Sequence, residues 1–264
     1  GKMKIAICLR GAISKIERHF YTQGELYLPG SYVNFVACYN SILQHIIQAN
    51  PQHEFHFFMH GWNLDLQDQL VSLYQPKRHL FENNLQYNPE FNSIINHPDL
   101  FTGASFSFSM KKSVELMQQY SEETGAVYDK VIIYRPDVLI YKDLNIELYD
   151  DKVYSNNVND LNKKAGMSAG QGDFHFIMNY NLALQFKELY SHITRGNPVK
   201  HHFWIKNYVQ NFMQQVMYED DIHAAFHQEV LRKIGAVVKG KYVKAESLLR
   251  YGLTLEEISR YTTH

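Results

Sequence analysis

Short apolar runs alternate along this chain with segments of helical periodicity. The runs lie at 4–9, 53–62 and 130–134, and the helical patterns between them at 31–49, 65–74 and 105–124. Strands joined in this way by helices build a parallel sheet that helices cover on both faces. The sequence therefore predicts an α/β fold with a mostly parallel central sheet flanked by helices, and ligands are expected at the carboxyl ends of its strands.

The size and charge of the chain limit its class. Its 264 residues, 45% of them hydrophobic, suffice for one large core, so we expect a single domain over 1–264. A formal net charge of -1 provides no global basic field, which predicts no nucleic-acid partner. No apolar run approaches the roughly 20 residues that cross a bilayer, and this favours a cytoplasmic protein. Cys8 and Cys38 are expected in the core, as in a reducing compartment.

The last hundred residues mix clear and weak patterns. Residues 172–179 (GDFHFIMN) are typical of a strand, and Asn181 is placed to cap a following helix. Apolar residues at helical intervals from Ile205 to Val216 predict a core helix. The polar, glycine-containing stretch 155–172 is either a mobile loop beside a site or an insert without a role.

The segment Arg135-Pro136-Asp137 directly follows the apolar run at 130–134. Proline removes a backbone donor and biases the preceding residue toward an extended shape, so a strand should end here. Two side chains separated by one residue in an extended chain point to the same side. Arg135 could then hold a phosphate and Asp137 a divalent metal or a sugar hydroxyl. The alternative is a local ion pair between the two.

The stretch VIIYRPDVLIYKDLNIELYD (131–150) resembles the segment of GT-A-fold, Rossmann-like glycosyltransferases in which a strand ends in an Asp-x-Asp motif. The segments KIAICLRGAISK, FHFFMHGWN and GASFSFSMKKSVELMQQYSEETGAVYDK look like parts of bacterial glycosyltransferases that build surface polysaccharides such as capsule or lipopolysaccharide. The resemblance covers most of residues 3–190 and is most specific at 57–63 and 128–144. In this chain Asp137 matches the second carboxylate, and Arg135 replaces the first.

The resemblance implies transfer of a sugar from a nucleotide-diphosphate donor, a UDP- or GDP-sugar, to a glycan or lipid-linked glycan acceptor. It also implies a donor half over 3–145 and an acceptor and catalytic half over 146–264. In Asp-x-Asp enzymes the carboxylates hold Mn or Mg against the diphosphate. Here either Asp137 alone holds the ion, or the charge of Arg135 replaces it. The donor sugar, its base, the stereochemistry and the oligomeric state stay open at this point.

Loops after the first strands are expected to complete the donor site. Arg10 could meet base, ribose or phosphate, and Gly11 allows close backbone approach. Trp62 could stack on a base or sugar and His60 could donate a hydrogen bond, or both could simply pack the loop. Lys112, near the start of the long helix, is a minor candidate beside the ordinary role of a solvated lysine.

An inverting transfer needs a general base, and carboxylates are the usual residues. Asp220 and Glu219 lie in YEDDIHAAFHQEV, predicted to fall between two helices, and resemble the Glu-Asp motif of many inverting GT-A enzymes. Asp173, between a glycine loop and a strand, is the alternative on the acceptor side. Acidic residues at a helix start also serve as caps, and that reading stays open.

Three further patterns complete the sequence-based picture. His223 and His227 have a helical zinc-ligand spacing but no third ligand, so a structural or solvated pair is favoured. A C-terminal basic cluster could meet the diphosphate, an anionic acceptor or the inner membrane as a peripheral contact, or form a solvated face; its members are Arg232, Lys233, Lys239, Lys241, Lys244 and Arg250. The rival to an enzyme is a noncatalytic module of the same fold that binds glycans or nucleotide sugars.

Overall fold

A computed structural model describes residues 1–13, 15, 20–22, 25–27, 32–33, 35–94, 101–140, 142–157, 173–192 and 201–226. Its strands are β1 (Lys4–Gly11), β2 (Phe20–Thr22), β3 (Glu25–Tyr27), β4 (Glu54–Gly61), β5 (Arg78–Phe81), β6 (Lys130–Tyr134), β7 (Val138–Ile140), β8 (Val153–Asn157), β9 (His175–Met178) and β10 (Met217–Phe226). Its α-helices are α1 (Phe35–Ile42), α2 (Gln67–Tyr74), α3 (Asn88–Ile94), α4 (Phe101–Thr124), α5 (Tyr180–Phe186) and α6 (His201–Asn211). A π-helical turn, Leu43–Ile47, extends α1, and short 3-10 turns cover Leu64–Leu66, Asn84–Tyr87, Ile146–Leu148 and Lys187–His192.

Among the described residues, eight strands form one mixed sheet in the order β5-β4-β1-β6-β9-β8-β10-β7. The first four are parallel to one another, and β8 is parallel to β10. Strand β9 runs antiparallel to both β6 and β8, and β7 runs antiparallel to β10. Strands β2 and β3 form a separate antiparallel pair. The predicted α/β fold with a mostly parallel sheet flanked by helices is confirmed.

Strand β1 lies at the centre of the core and is buried on both faces. Ile5, Ile7 and Leu9 pack on the side of α1 and α2, in a cluster that includes Ile42 and Leu70. Alternate residues of β1 face the side of α4, α5 and α6, in a cluster whose members include Ala6, Cys8, Met110, Val114, Phe186 and Val209. Both cysteines are buried free thiols, as expected from the sequence, and burial raises the pKa of each. Burial on both faces explains why β1 reads as an uninterrupted apolar run.

The boundaries of three helices show how local chemistry sets the ends of elements. Helix α4 ends at Thr124, and Gly125 follows it with a φ of +76°, typical of the left-handed residue that terminates a helix. The cap of α5 is Asn179, whose side chain accepts from the amide of Leu182, so the assignment of Asn181 as the cap was wrong. Helix α6 ends at Asn211, five residues before Val216, which is exposed.

Strand β10 corrects the largest error of the sequence-based reading. The segment that contains Glu219, Asp220 and His223 was predicted to lie between or on helices, but all three residues belong to this strand. The register of β10 against β8 shifts between Glu219 and His223, as in a β-bulge. Helical spacing therefore does not relate His223 to His227, which lies outside the described residues.

Several other sequence-based predictions fall outside the described residues. They concern residues 158–172 of the polar stretch and the whole C-terminal basic cluster. The division into halves at 145/146 also stays a prediction. Among the described helices, none is long and apolar enough to cross a membrane.

Candidate functional site

The carboxyl ends of β1 and β6 meet at the point where the strand order reverses. From β1 the chain proceeds to β4 and β5 on one side, and then returns to place β6 on the other side of β1. Such a reversal opens a crevice in which α/β proteins bind ligands. Arg10 and Gly11 end β1, and Arg135 follows β6 directly, so the sequence-predicted residues of these two loops are brought together here.

Arg10 is buried at the end of β1, with 4% of its surface exposed. Its guanidinium carbon lies 4.1 Å from the centre of the Phe106 ring, and its Nη2 donates to the backbone carbonyl of Asp173. Its Nε has no hydrogen-bond partner among the described residues. A buried donor without a partner carries a free-energy cost, which a bound acceptor would remove.

Arg135 and Asp137 form a bidentate ion pair across Pro136. Arg135 Nε and Nη2 donate to Asp137 Oδ1 and Oδ2, each at 3.2 Å. Arg135 Nη1 also lies 3.9 Å from Asp173 Oδ2. The Asp137 side chain is fully buried, whereas that of Arg135 is 20% exposed. The two side chains do point to the same side, as the sequence predicted, and the ion pair that it left as an alternative is formed.

The two arginines lie close enough to influence each other's charge. Burial, and next the positive charge of Arg135, lower the pKa of Arg10 to about 9, against the opposing effects of Asp173 and Asp137. Arg10 therefore stays protonated at neutral pH. The two guanidinium groups repel each other, and the carboxylates of Asp137 and Asp173 offset part of that repulsion.

The donor set around Asp137 does not fit a divalent metal ion. Both oxygens of its carboxylate accept from Arg135, so a guanidinium occupies the position that a metal would need. A second positive charge, that of Arg10, is near enough to act on the same group. No group of three or more His, Cys, Asp or Glu side chains in the described part of the chain is arranged to hold a metal. The proposed metal ligand Asp137 is thus an ion-pair partner in this structure.

Gly11 has a conformation that favours glycine. Its φ is +95°, in the left-handed region, and a Cβ at this position would meet no atom of the described residues within 4 Å. Its amide donates to Ser109 Oγ of α4 at 2.8 Å. The glycine is therefore required by the backbone turn.

His60 and Trp62 lie at the neighbouring end of β4 inside a packed cluster. His60 is fully buried, with Nδ1 2.7 Å from Ser109 Oγ and Nε2 2.8 Å from Glu82 Oε2. Trp62 stacks on Phe108 with ring centres 5.7 Å apart, and it contacts His60 edge to face at 4.7 Å. Of the two roles left open by the sequence, the structure shows packing for both residues.

Lys112 lies one helical turn beyond Phe108. Its Nζ is 5.3 Å from the centre of the Phe108 ring, and its positive charge acts on His60. This lysine therefore belongs to the surroundings of the β4 end and not to the Arg10–Arg135 cluster.

Asp220 is held in a network of its own. Its Oδ2 lies 2.6 Å from His175 Nε2 and accepts from the Tyr149 hydroxyl at 2.7 Å, while its Oδ1 accepts from the amide of Ile222 at 3.0 Å. Burial alone would raise the pKa of Asp220, but attraction to His175 and the hydrogen bonds that the carboxylate accepts lower it. Burial, reinforced by Asp220, raises the pKa of Tyr149. A carboxylate held in this way is a poor proton acceptor.

The remaining acidic candidates differ in their surroundings. Glu219 is exposed on β10, and neighbouring Asp221 is exposed and bonded to Lys142 Nζ at 2.8 Å. Asp173 is buried beside the arginines, where its backbone and its carboxylate contact Arg10 and Arg135, respectively. Of the three predicted catalytic carboxylates, the structure brings only Asp173 into the arginine cluster.

Sequence reasoning missed two members of these networks. His175 follows Asp173 at a spacing of two, which places both on one face of an extended segment, so the alternation was a usable signal. Tyr149 gave no comparable signal, because its contact with Asp220 joins residues 71 positions apart.

Comparisons with known proteins add little to the geometry. No protein-family model matches the chain, and no curated protein matches it. Among solved structures it is similar to a protein from Desulfovibrio desulfuricans described as a "putative nucleotide-diphospho-sugar transferase", over 99% of each chain, with 12% sequence identity and a TM-score of 0.43. A likeness of this size carries no argument about the chemistry of this chain.

Proposed function

We propose that this protein is a glycosyltransferase that transfers a sugar from a nucleotide-diphosphate donor, a UDP- or GDP-sugar, to a growing surface glycan. The supporting observation is the pair of guanidinium groups, Arg10 and Arg135, at the reversal point of the sheet. Guanidinium groups match phosphate oxygens in geometry and charge. The cytoplasmic location, the glycan or lipid-linked acceptor and a peripheral contact with the inner membrane belong to the same proposal.

In this proposal Arg135 and Arg10 bind the diphosphate and stabilise it as it leaves. Negative charge builds on the phosphate oxygen when its bond to the sugar breaks, and positive groups already in place lower the energy of that state. Arg135 is the more exposed of the two, so it meets the ligand first and exchanges part of its contact with Asp137 for phosphate oxygens. Both charges come from the chain, and no step depends on a metal ion.

Asp173 is the predicted base that best suits an inverting transfer. It is the catalytic candidate that lies beside the arginines, with its Oδ2 3.9 Å from Arg135 Nη1. Asp220 is engaged by His175, Tyr149 and a backbone amide, so we assign it to support the sheet end instead. Glu219 is too exposed on its strand to hold a shielded acceptor hydroxyl.

The test is nucleotide release from a panel of UDP- and GDP-sugars, with and without EDTA. We expect release with at least one donor, unchanged by EDTA, and a fall of about 100-fold or more in Arg135→Ala because a transition-state contact is lost. Arg78→Ala is the matched control, since Arg78 is an exposed arginine that pairs with Glu123. The proposal is overturned if no donor is bound or hydrolysed by the wild type, or if Arg135→Ala behaves like the control.

A second candidate function has one observation in its favour. The closed pair between Arg135 and Asp137 withholds the carboxylate that relatives of the broader fold use for metal, as expected of a noncatalytic module that binds nucleotide sugars or glycans. Binding of a donor without any turnover, in the presence of a range of glycan acceptors, would support this alternative.

A further inference from the structure

A chain of hydrogen bonds joins the buried end of β4 to the open end of β1. The Gly11 amide donates to Ser109 Oγ at 2.8 Å, and Ser109 Oγ lies 2.7 Å from His60 Nδ1. His60 Nε2 lies 2.8 Å from Glu82 Oε2, and the hydroxyl of Tyr87 donates to Glu82 Oε1 at 2.5 Å. The chain thus runs from the turn beside Arg10 to a carboxylate beyond the end of β5.

The donors and acceptors in this chain leave one arrangement for a neutral His60. Both Glu82 oxygens are acceptors, so Nε2 must carry the ring proton and donate it. Nδ1 then holds a lone pair, and the Ser109 hydroxyl donates its single proton to it. Ser109 Oγ is left as the acceptor for the Gly11 amide. Each group therefore has one role: the His60 ring orients the Ser109 hydroxyl, and the Ser109 oxygen holds the Gly11 amide.

We infer that His60 is a positioning residue for the end of β1, and that it holds the Gly11 turn most firmly while its ring is neutral. A proton added to Nδ1 would turn that atom into a donor facing the Ser109 hydroxyl proton. The hydroxyl proton must then rotate away from its acceptor, and Ser109 Oγ accepts from both Nδ1 and the Gly11 amide, so the turn is held by a less favourable arrangement. Anion binding beside Gly11 should therefore weaken in acid; this last step rests on the proposed function, whereas the link from His60 to Gly11 does not.

Some of the charged groups around His60 raise the pKa of its ring and others lower it. Glu82, after β5, favours the charged ring, whereas Lys112 on α4 opposes it. Arg10 is the register partner of His60 across β1 and β4, so its side chain lies on the same face of the sheet. Tyr87 contacts the ring indirectly, through Glu82. Burial is the largest effect and lowers the pKa of His60 below its usual value of 6.5, so the ring is neutral at pH 7.

The link can be tested without any ligand. In protein labelled with 15N-glycine, the Gly11 amide resonance, assigned by its loss in Gly11→Ala, is followed from pH 8 to pH 4.5. We expect the wild-type resonance to shift with a midpoint below 6.5. His60→Asn keeps an amide oxygen to accept from Ser109 and does not titrate, so the shift should disappear. Ser109→Ala leaves the ring in place and should also abolish it.

The matched control is His56→Asn. His56 is a buried histidine on the same strand, bonded to Tyr128 and Glu54, with a pKa that burial lowers as well, but it lies at the other end of β4. The Gly11 titration should persist in this variant. A wild-type Gly11 resonance that is insensitive to pH, or one that titrates unchanged in His60→Asn or Ser109→Ala, overturns the inference.

The consequence for ligand binding is tested by measuring donor affinity as a function of pH. Calorimetry with UDP-glucose and GDP-mannose is suitable, because their diphosphate diesters keep a constant charge over this pH range. For a donor that binds, we expect Kd to rise about tenfold through the His60 midpoint in the wild type and to stay level in His60→Asn. Absence of binding by either donor at pH 7.5 counts against the proposed function, while the Gly11 resonance still decides whether His60 positions the turn.

Discussion

The ends of β1 and β4 are neighbours in one sheet, yet they are built in opposite ways. Gly11 and Gly61 are register partners, so the two chains leave the sheet at the same level. Among the described residues, charged groups lie beyond the end of β1, where a Cβ on Gly11 would meet no atom within 4 Å, whereas a packed cluster of rings surrounds His60 at the end of β4. The difference teaches that a position at the carboxyl end of a parallel strand marks where ligands can bind, while the packing of the next element decides whether they do.

The largest expected effect comes from disrupting the ring cluster at the end of β4. Phe91 is fully buried and contacts Trp62, Tyr87 and Phe108. Phe91→Ala should lower the free energy of unfolding by about 3–5 kcal/mol, because it leaves a cavity in a packed cluster. Urea denaturation measures this, and Phe212→Ala, at a half-exposed ring, should change it far less. A loss below about 1 kcal/mol would mean that the β4 end is loosely packed.

The open end should depend on charge pairing. A double-mutant cycle with Arg135→Ala and Asp137→Ala should give a coupling of about 2 kcal/mol in the free energy of unfolding, as for a hydrogen-bonded, partly buried pair. Each single variant leaves one charge behind, so the double variant should be more stable than the sum of the two losses predicts. Additive losses would show that the ion pair contributes nothing and that the two ends differ only in packing.

The two glycines allow the same substitution to be made at both ends. A Cβ on Gly61 would lie 2.6 Å from the Phe81 ring, so Gly61→Ala should cost about 1–3 kcal/mol through overpacking. A Cβ on Gly11 would meet no atom in the described part of the chain, and Gly11→Ala should cost about 1 kcal/mol through its positive φ. Thermal unfolding compares them. The comparison fails if Gly11→Ala is the more destabilising of the two.

The smallest expected effect concerns the stability of the protein in acid. It involves Asp220 on β10, whose carboxylate is bonded to His175 and Tyr149. Because the folded-state pKa of Asp220 is lowered below 3.8, its charge contributes stability that is present above pH 3.8 and lost as pH falls through the folded value. Melting temperatures from pH 5 down to pH 2.5 should fall less steeply in Asp220→Asn. An equal fall of the melting temperature with pH in both proteins would show that Asp220 does not contribute to the loss of stability in acid.

The sequence allowed the fold to be predicted because its strands and helices are locally consistent. Strand β6 and helix α4 have uniform patterns, and Pro136 marks the strand end without ambiguity. Strand β10 was misread because its polar residues, at Glu219 to Asp221, obscure the alternation of a strand and fall at a register shift. Only pairing with β8 and β7, which are distant in sequence, fixes that segment as extended.

For the candidate site, the positions of its residues at strand ends were predictable, but the side chains that contact them were less so. Arg10, Arg135 and Asp137 could be placed at strand ends from local pattern alone. That His60 would be enclosed was not visible, because Glu82 and Ser109 reach it from segments 22 and 49 residues away. Likewise, the choice between Asp173 and Asp220 depended on which of the two His175 engages.

The central position of β1 has a consequence for how the chain folds. Its first residues pair with the segment around Lys130, and the Lys4 amide bonds to Asp129 across 125 positions. During synthesis at roughly 5–20 residues per second, one edge of this apolar strand therefore stays unpaired for about 6–25 s before its neighbour is made. Contacts of such long range slow folding and leave an edge that can pair with other chains. The strand that carries Arg10 of the candidate site is thus also one whose edge stays unpaired while much of the chain is still being made.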